Sequence, residues 1–266
     1  MLINDNSSSQ GVQNATTENQ NKLKSSLLKL ATGLRINQAS DDPAGLAASE
    51  SLRGQIRGSQ QAQSNANDAL AMLQIADSSG QQITDTLQRM RDLATQAANG
   101  TYSSTDRAAI QQEYSSLASE VSGITRSTSY NGLQLLSGNQ GFTFQVGAGS
   151  PGSTLDAATA GLPSLLSLGS VSTQVGAQGA LASLDSAMGS VTALRSGLGA
   201  SMNQLSSASP NLGSNIASVS AAESLIRDTD YASAATRMAT SQILTKSSNA
   251  MLAQANLLPK GVMGLL

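Results

Sequence analysis

Residues 33–53 read GLRINQASDDPAGLAASESLR, and the Asp42-Pro43 step within them marks the start of a long helix. Aspartate is a favoured N-cap residue, and proline is tolerated in a first turn because its missing N–H would have no helical partner there. No other proline follows for more than a hundred residues. We therefore predict one helix over residues 43–98, roughly 80 Å long at about 1.5 Å per residue. Asn99-Gly100 supplies its C-terminal stop.

Two long segments carry the 3.5-residue period of a coiled-coil seam, in which spacings of four and three alternate. In the first, with one slip at Ala76, the predicted seam is Leu52, Ile56, Ser59, Gln63, Ala66, Leu70, Leu73, Ala76, Gly80, Ile83, Leu87, Met90, Ala94 and Ala97. In the second it is Leu184, Met188, Val191, Arg195, Leu198, Met202, Leu205, Ser209, Leu212, Ile216, Val219, Glu223 and Ile226. Pro210 lies inside the second segment, where proline kinks a helix or removes a hydrogen bond.

Shorter elements lie between these two helices. Ser103 and Asp106 have the spacing of a capping box, and a helix seam follows them from Ile110. The seam continues through Tyr114, Leu117, Val121 and Ile124, and Tyr130-Asn131-Gly132 then reads as a turn. Phe142, Phe144 and Val146 alternate with polar residues, which predicts a strand that forms half of a hairpin. The Gly/Ser-rich stretch that follows predicts a loop over residues 151–172.

The two terminal segments carry apolar residues that a thin helical chain cannot bury by itself. Leu23, Leu27, Leu30 and Leu34 form a short seam, and the adjacent Ile243 and Leu244 make residues 231–258 apolar on more than one face. A helix that is apolar on several faces needs neighbours on several faces. The candidate assembly residues are Leu23, Leu27, Leu30, Leu34, Ile243, Leu244, Met251, Leu252, Leu257 and Leu258.

Composition argues against catalysis and for association. The 266-residue chain has no Cys and no His, so it has no disulfide, no thiolate or imidazole metal ligand and no His-dependent triad. Its net charge of −2 gives no basic field for nucleic acid. Charged residues make up 12%, against a typical value of about 25%, which favours outer faces that contact other protein. We expect no enzyme activity, cofactor or metal.

Neither a secretory signal nor a membrane span is expected from the sequence. The first residues lack the apolar core of a signal peptide, and no run approaches the roughly 18 apolar residues of a transmembrane helix. If the protein leaves the cell, we expect that it does so without a cleaved signal.

Six motifs, taken together and in this order, resemble those of bacterial flagellin over nearly the whole chain. They are GLRINQASDDPAG (33–45), LQRMRDLATQAANG (87–100), TSYNGLQLL (128–136), TFQVGAG (143–149), AAESLIRDTDYA (221–232) and SQILTKSSNAMLAQANLLP (241–259). The resemblance implies a mainly α fold, a long helical hairpin or coiled-coil bundle of N- and C-terminal segments with a short β-hairpin. The large outer variable domains of the family are absent.

The resemblance also implies three structural regions. Residues 1–38 with 230–266 form an inner terminal coiled-coil domain, and residues 39–136 with 176–229 form a helical-bundle domain. Residues 137–175 form the β-hairpin and a short variable loop. We expect the terminal segments to order on assembly, when the entropy cost of folding is offset by contacts with neighbouring subunits.

In function, the resemblance implies a structural subunit that polymerises into the extracellular flagellar filament for motility after type III export. The implied partners are the chain itself and, at the flagellum, an export chaperone, the cap and the hook-junction proteins. Arg89, Leu93 and Glu113 match family positions contacted by the host flagellin-sensing Toll-like receptor. From the residues alone, Arg89 and Glu113 could equally form an interhelical ion pair, and Leu93 could flank the helix seam.

Two alternatives remain at this point. One is a minor flagellin or a flagellar axial junction protein, which would share the terminal heptads. The other is a cell-surface filament protein with a carbohydrate-binding role.

Overall fold

The computed structural model describes residues 7–137, 140–149, 153–159 and 168–263. The elements are α1 (Ser7–Thr32), α2 (Pro43–Ala98), α3 (Ser104–Ser127), β1 (Ser129–Tyr130), β2 (Leu133–Gln134), β3 (Gln140–Gln145), β4 (Thr154–Thr159), α4 (Gln174–Arg227) and α5 (Tyr231–Met263). This confirms the mainly α fold with small antiparallel strand pairs. The prediction for residues 43–98 matches α2 at both ends.

The chain divides into two compact units. The terminal unit comprises Met1–Gly54 with Ser218–Leu266, and the central unit comprises Gln55–Ala217. The division into three regions drawn from the family resemblance stays a prediction.

Asp42 caps α2 as the sequence predicts. Its carboxylate Oδ1 accepts the Gly45 N–H at 2.9 Å. A Cβ on Gly45 would lie 2.4 Å from Asp42 Oδ2, so there is no room for a side chain at position 45 while Asp42 caps the helix. Asp41 turns the other way and accepts the N–H groups of Asn37 and Gln38 at 3.0 and 3.1 Å. These bonds, the Asn37 one foremost, lower the pKa of Asp41. The two aspartates thus fix the backbone on either side of the helix start.

The seam of α2 in the central unit is more regular than the sequence predicts. The predicted positions Gln63 and Leu70 are only half-buried, whereas Ala62 and Ala69 are buried at 2% and 1% exposure. The seam therefore runs through these two alanines rather than through the larger residues that follow them. With this correction there is no slip at Ala76. The seam positions, all buried, are Ser59, Ala62, Ala66, Ala69, Leu73, Ala76, Gly80, Ile83, Leu87, Met90, Ala94 and Ala97. Met72 and Leu93 lie beside the seam and are also buried.

Helix α4 follows the same rule. Leu184, Val191, Leu198 and Leu205 are buried as predicted, but the intervening buried positions are Ala187 and Leu194 rather than Met188 and Arg195. Arg195 instead pairs with Asp77 on α2, with 2.8 Å between Nε and Oδ1. The helix continues through Pro210 to Arg227, and Pro210 itself is exposed.

Helix α3 begins at the predicted capping box of Ser103 and Asp106. Further along it, Tyr114 is 1% exposed and donates its hydroxyl to the Leu168 carbonyl. Burial raises the pKa of Tyr114 to about 12. Gln111 accepts the Val171 N–H at 2.6 Å through its side-chain oxygen. These two contacts hold the segment that leads into α4 against α3.

Two β-hairpins complete the central unit. Asn131 and Gly132 both have positive φ, 49° and 80°, as a two-residue type I′ turn between β1 and β2 requires. The sequence indicates that turn but not the short strands beside it. Strands β3 and β4 pair antiparallel, with Phe142 opposite Ala157. The hairpin is therefore confirmed. The expectation of a loop is wrong for Thr154–Thr159, which form β4. The sequence shows no strand pattern there because the buried residue of β4 is an alanine. Residues 151–152 and 160–167 of that expected loop lie outside the described part of the chain.

Candidate assembly and recognition surfaces

Helices α1 and α5 of the terminal unit pair antiparallel. Ser9 Oγ donates to Asn256 Oδ1 at 2.8 Å, and Asn19 Nδ2 donates to Ser248 Oγ at 3.1 Å. Residue numbers therefore rise along α1 as their partners' numbers fall along α5. Side-chain hydrogen bonds between these distant segments set the register of the pair.

The interior of this helix pair is unusually polar. The least exposed positions recur at alternating spacings of three and four on both helices, which is a coiled-coil seam. Most of its members are small or polar, so the seam buries little apolar area and hydrophobic stabilisation of the isolated pair is weak. The positions are Ser9, Val12, Thr16, Asn19, Leu23, Ser26 and Leu30 on α1, and Ala234, Met238, Ser241, Thr245, Ser248, Leu252 and Ala255 on α5.

Several of the larger apolar side chains of the pair lie outside this seam and are exposed. Leu27 on α1 is 47% exposed, and on α5 Ile243 is 67%, Met251 is 59% and Leu257 is 57% exposed. Leu244 is also exposed. Large exposed apolar side chains that recur on one pair of helices indicate an interaction surface. We call Leu27, Ile243, Leu244, Met251 and Leu257 the outer apolar face.

The remaining assembly candidates divide differently. Leu23, Leu30, Leu34 and Leu252 are half-buried. The side chain of Leu258 lies outside the described part of the chain. Of the predicted assembly residues, half thus belong to the outer face, and four take part in packing within the subunit.

The segment that follows α1 pairs with the C-terminal end of α4. Leu34 forms a bridge with Asp228, and the Arg35 N–H donates to the Arg227 carbonyl at 2.6 Å. The Arg35 side chain donates through Nε and Nη2 to the Ile226 carbonyl, at 3.1 and 2.5 Å. Backbone and side chain of the GLRIN segment therefore both hold the C-terminal end of α4. No single-residue signal in the sequence indicates this pairing.

A second charged contact supports the same junction. Arg227 Nη1 lies 3.0 Å from Glu50 Oε1, and Glu50 also pairs with Arg53 at 2.8 Å. The pKa of Glu50 is lowered, first by the Arg53 hydrogen bond and then by the Arg227 contact. Sequence reasoning missed Arg35, Glu50 and Arg227, although all three lie in or next to the quoted motifs.

The three receptor-contact candidates do not share one surface. Arg89 Nη2 and Nε lie 2.8 and 3.2 Å from Glu113 Oε1, and both side chains are about half exposed. Leu93 is 3% exposed and packs in the core of the central unit. The ion pair joins α2 to α3 across the surface, where such a pair is worth about 0–1 kcal/mol. Arg91 and Asp185 form a similar exposed pair at 2.9 Å between α2 and α4.

Neither a metal-binding cluster nor a membrane-spanning helix is found among the described residues. No three Asp or Glu side chains in the described ranges converge on one point. None of the described helices combines the length and apolarity that crossing a bilayer demands.

The sequence of the chain was compared with family models and with known proteins. Residues 3–141 match the model of the bacterial flagellin N-terminal helical region, and residues 181–266 match that of the C-terminal helical region. The chain is 39% identical to a flagellar filament 30.7 kDa core protein of Treponema maltophilum and 37% identical to a flagellin of Halalkalibacterium halodurans, each over the full length of both chains. Bacillus cereus flagellin aligns in structure with a TM-score of 0.51 and 28% identity, covering 56% of this chain and 88% of that one.

Proposed function

Because this chain belongs to the bacterial flagellin family, we infer that it is a structural subunit that polymerises into the flagellar filament. The outer apolar face of the terminal unit carries this conclusion. A helix pair with a polar interior and apolar exterior is suited to a site surrounded by copies of itself. A contact between two different surfaces of one chain grows into a helical polymer when its rotation does not close a ring.

The size of the outer apolar face explains why assembly needs many neighbours at once. Removing a partly exposed leucine, isoleucine or methionine from water contributes about 1–2 kcal/mol. The five residues together give about 5–10 kcal/mol, against an association cost of about 4–15 kcal/mol. One pairwise contact of this kind is marginal. A filament in which each subunit touches several others repeats the contact and becomes stable.

The terminal segments 1–38 and 230–266 are proposed as the inner domain of the filament. Residues 39–136 with 176–229 then form the surrounding bundle, and residues 137–175 the outer hairpin and loop. Support for this comes from the location of the outer apolar face on α1 and α5.

Family membership supports a set of further partners. We propose that the chain leaves the cell through the flagellar type III pathway without a cleaved signal. It would meet an export chaperone before assembly, and the cap and hook-junction proteins at the flagellum. Its final location is then the extracellular filament.

Recognition by the flagellin-sensing Toll-like receptor is proposed for the surface around Arg89 and Glu113. Both side chains are exposed and close together, which supports a charged contact with a partner protein. Leu93, being buried, would support α2 from within and would not touch a rigidly bound partner.

The proposed assembly is tested with purified full-length chain and a truncated chain that lacks residues 232–266. The full chain should form filaments that sediment and that electron microscopy shows to be helical. The truncated chain should stay in solution while circular dichroism reports a helical central unit. Filaments formed equally well by the truncated chain would overturn the proposal.

A further inference from the structure

A cleft of about 500 Å³ lies between α1 and α5 inside the terminal unit. Its walls carry four cationic side chains, namely Lys22, Lys29, Arg35 and Arg237. Seven serine and threonine residues complete most of the polar lining. A cleft of this size falls in the range that takes a small molecule, about 300–1,000 Å³, rather than a protein segment.

Among the described residues, one carboxylate lines the cleft, and it is already engaged. Asp230 Oδ1 accepts the N–H groups of Ala232 and Ser233 at 2.9 and 3.2 Å, so it caps the start of α5. Four cations against one engaged carboxylate leave the lining with a net charge of +3. Like charges held this close together repel, and a bound anion relieves that repulsion.

Acidic side chains near the cleft neutralise only part of this charge. Glu18 pairs with Lys22 at 2.6 Å. Asp41 lies near Lys29, but one of its carboxylate oxygens accepts two backbone N–H groups. Within the described ranges, no carboxylate forms an ion pair with Lys29, Arg35 or Arg237. Lys29 and Arg237 therefore remain available to a ligand, whereas Arg35 already donates through Nε and Nη2 to the Ile226 carbonyl.

Helices α1 and α5 also carry a net positive charge as a whole. Helices α1 and α5 contain six Lys and Arg residues and a single acid, Glu18. The hydroxyls of Thr236 and Thr240 donate to backbone carbonyls of α5, so the cations and the serine side chains of the cleft are the donors for an anion. Arginine suits oxyanions in particular, because its planar guanidinium donates two parallel hydrogen bonds.

We propose that this cleft binds an oxyanion of the phosphate class, with Arg237 and Lys29 as its main charged contacts from α5 and α1. The site exists only where the two helices are paired, so the bound anion stabilises their pairing. The ligand is a free phosphate group rather than a lipid headgroup, because the cleft lies between the helices and Leu244 is the one residue of the outer apolar face among its described lining.

Equilibrium dialysis with radiolabelled inorganic phosphate tests the proposal on both the dissolved subunit and the sedimented filament. The informative variants are Arg237→Gln and Lys29→Gln. The matched controls are Lys246→Gln and Lys24→Gln, which remove a cation from the same two helices outside the cleft. Ionic strength is kept low, since the Debye length is about 10 Å at 0.1 M salt.

Wild-type chain should bind one phosphate per subunit saturably in at least one of the two states. Arg237→Gln should weaken binding about tenfold, as expected for loss of a hydrogen bond to a charged group, whereas the controls change it by less than about threefold. Absence of saturable binding in both states overturns the proposal. So does an equal loss in all four variants, because that result indicates diffuse attraction of counterions.

A second arm separates free phosphate from a lipid source. Phosphatidylglycerol vesicles are floated with the same variants, in the presence and absence of inorganic phosphate. Vesicle binding by a chain that fails to bind inorganic phosphate contradicts the assignment. The test is independent of assembly: a chain that binds phosphate but forms no filaments supports this site and counts against the proposed function.

Discussion

Asn19 on α1 donates its side-chain amide to the hydroxyl of Ser248 on α5, and this 3.1 Å bond lies within the helix seam. The nearby Ile243 and Met251, in contrast, face outward. The terminal helix pair therefore places polar contacts where most coiled coils place apolar ones. Such a seam fixes register and leaves the stabilisation to contacts outside the subunit.

The first prediction concerns order in the dissolved subunit. In wild type, backbone amides of α5 should exchange with solvent much faster than those of α2 in the central unit, because the polar seam gives little protection. Replacing the pair jointly, Asn19→Leu with Ser248→Leu, should slow exchange in α5 by about tenfold, since an apolar pair removes two half-buried polar groups together and adds apolar area to the seam. Hydrogen exchange with mass spectrometry measures both.

Exchange in the central unit serves as the internal reference for that comparison and should not change in the double variant. Wild-type α5 amides as slowly exchanging as those of α2 would show that the pair is stable without neighbours.

The second prediction concerns alkaline pH. Burial holds the pKa of Tyr114 at about 12, above its unfolded value near 10. Its contribution to folding is thus fully present below pH 10 and is lost as pH rises from about 10 to about 12. At pH 8, Tyr114→Phe should be less stable by about 1–2 kcal/mol, because the Leu168 carbonyl loses its donor. Near pH 11.5 this difference should shrink or reverse. Urea unfolding at both pH values measures it, and a pH-independent difference would contradict the account.

The third prediction compares two glycines. A Cβ on Gly58 would lie 2.8 Å from the Ala148 Cβ and 3.2 Å from its Cα, whereas none of the described atoms comes within 4 Å of a Cβ on Gly189. Glycine-to-alanine exchange in an open helix stabilises by up to about 1 kcal/mol. Gly189→Ala should therefore raise the melting temperature by about 2–4 °C. Gly58→Ala should give no gain or a loss, because the hairpin loop must shift. Equal gains in both variants would show that the loop does not contact α2.

The fourth prediction concerns receptor recognition. Arg89→Ala in depolymerised protein should reduce activation of the flagellin-sensing Toll-like receptor by more than about fivefold in a dose–response assay, as expected for an interface hot spot. Arg91→Ala is the matched control, since it breaks a similar exposed ion pair two residues away on the same helix. Equal potency of the two variants would remove Arg89 from the proposed contact.

Helix ends were predictable from the sequence because their chemistry is local. Asp42 before Pro43, and Ser103 with Asp106, satisfy backbone N–H groups within three residues of themselves. The Asn131-Gly132 turn is local in the same sense, because it depends on two residues that accept positive φ.

Seam composition was less predictable, since it depends on the partner helix. At Leu70 and Met188 hydrophobicity favours the larger residue, but in the structure the neighbouring Ala69 and Ala187 are the buried positions. Strand β4 was missed for a related reason. Its pattern relies on the small Ala157, and its partners in β3 lie nine to nineteen positions earlier in the chain.

The contact between Arg35 and the end of α4 could not be predicted from the sequence. Its acceptor is the backbone carbonyl of Ile226, and a carbonyl has no sequence signature. The burial of Leu93 could not be predicted for a different reason. Leu93 flanks the seam of α2, and the packing of the surrounding helices decides whether such a residue is covered.

The central claim is that the outer apolar face of α5 drives polymerisation, and the critical concentration for filament assembly tests it most directly. Ile243→Ser with Met251→Ser removes two exposed apolar side chains, while Gln242→Ser with Asn249→Ser alters two exposed polar positions on the same helix. At about 1–2 kcal/mol for each lost side chain, the first pair should raise the critical concentration by about 100-fold or abolish assembly. The control pair should change it by less than about threefold. Unchanged assembly of the Ile243→Ser/Met251→Ser chain would contradict the claim.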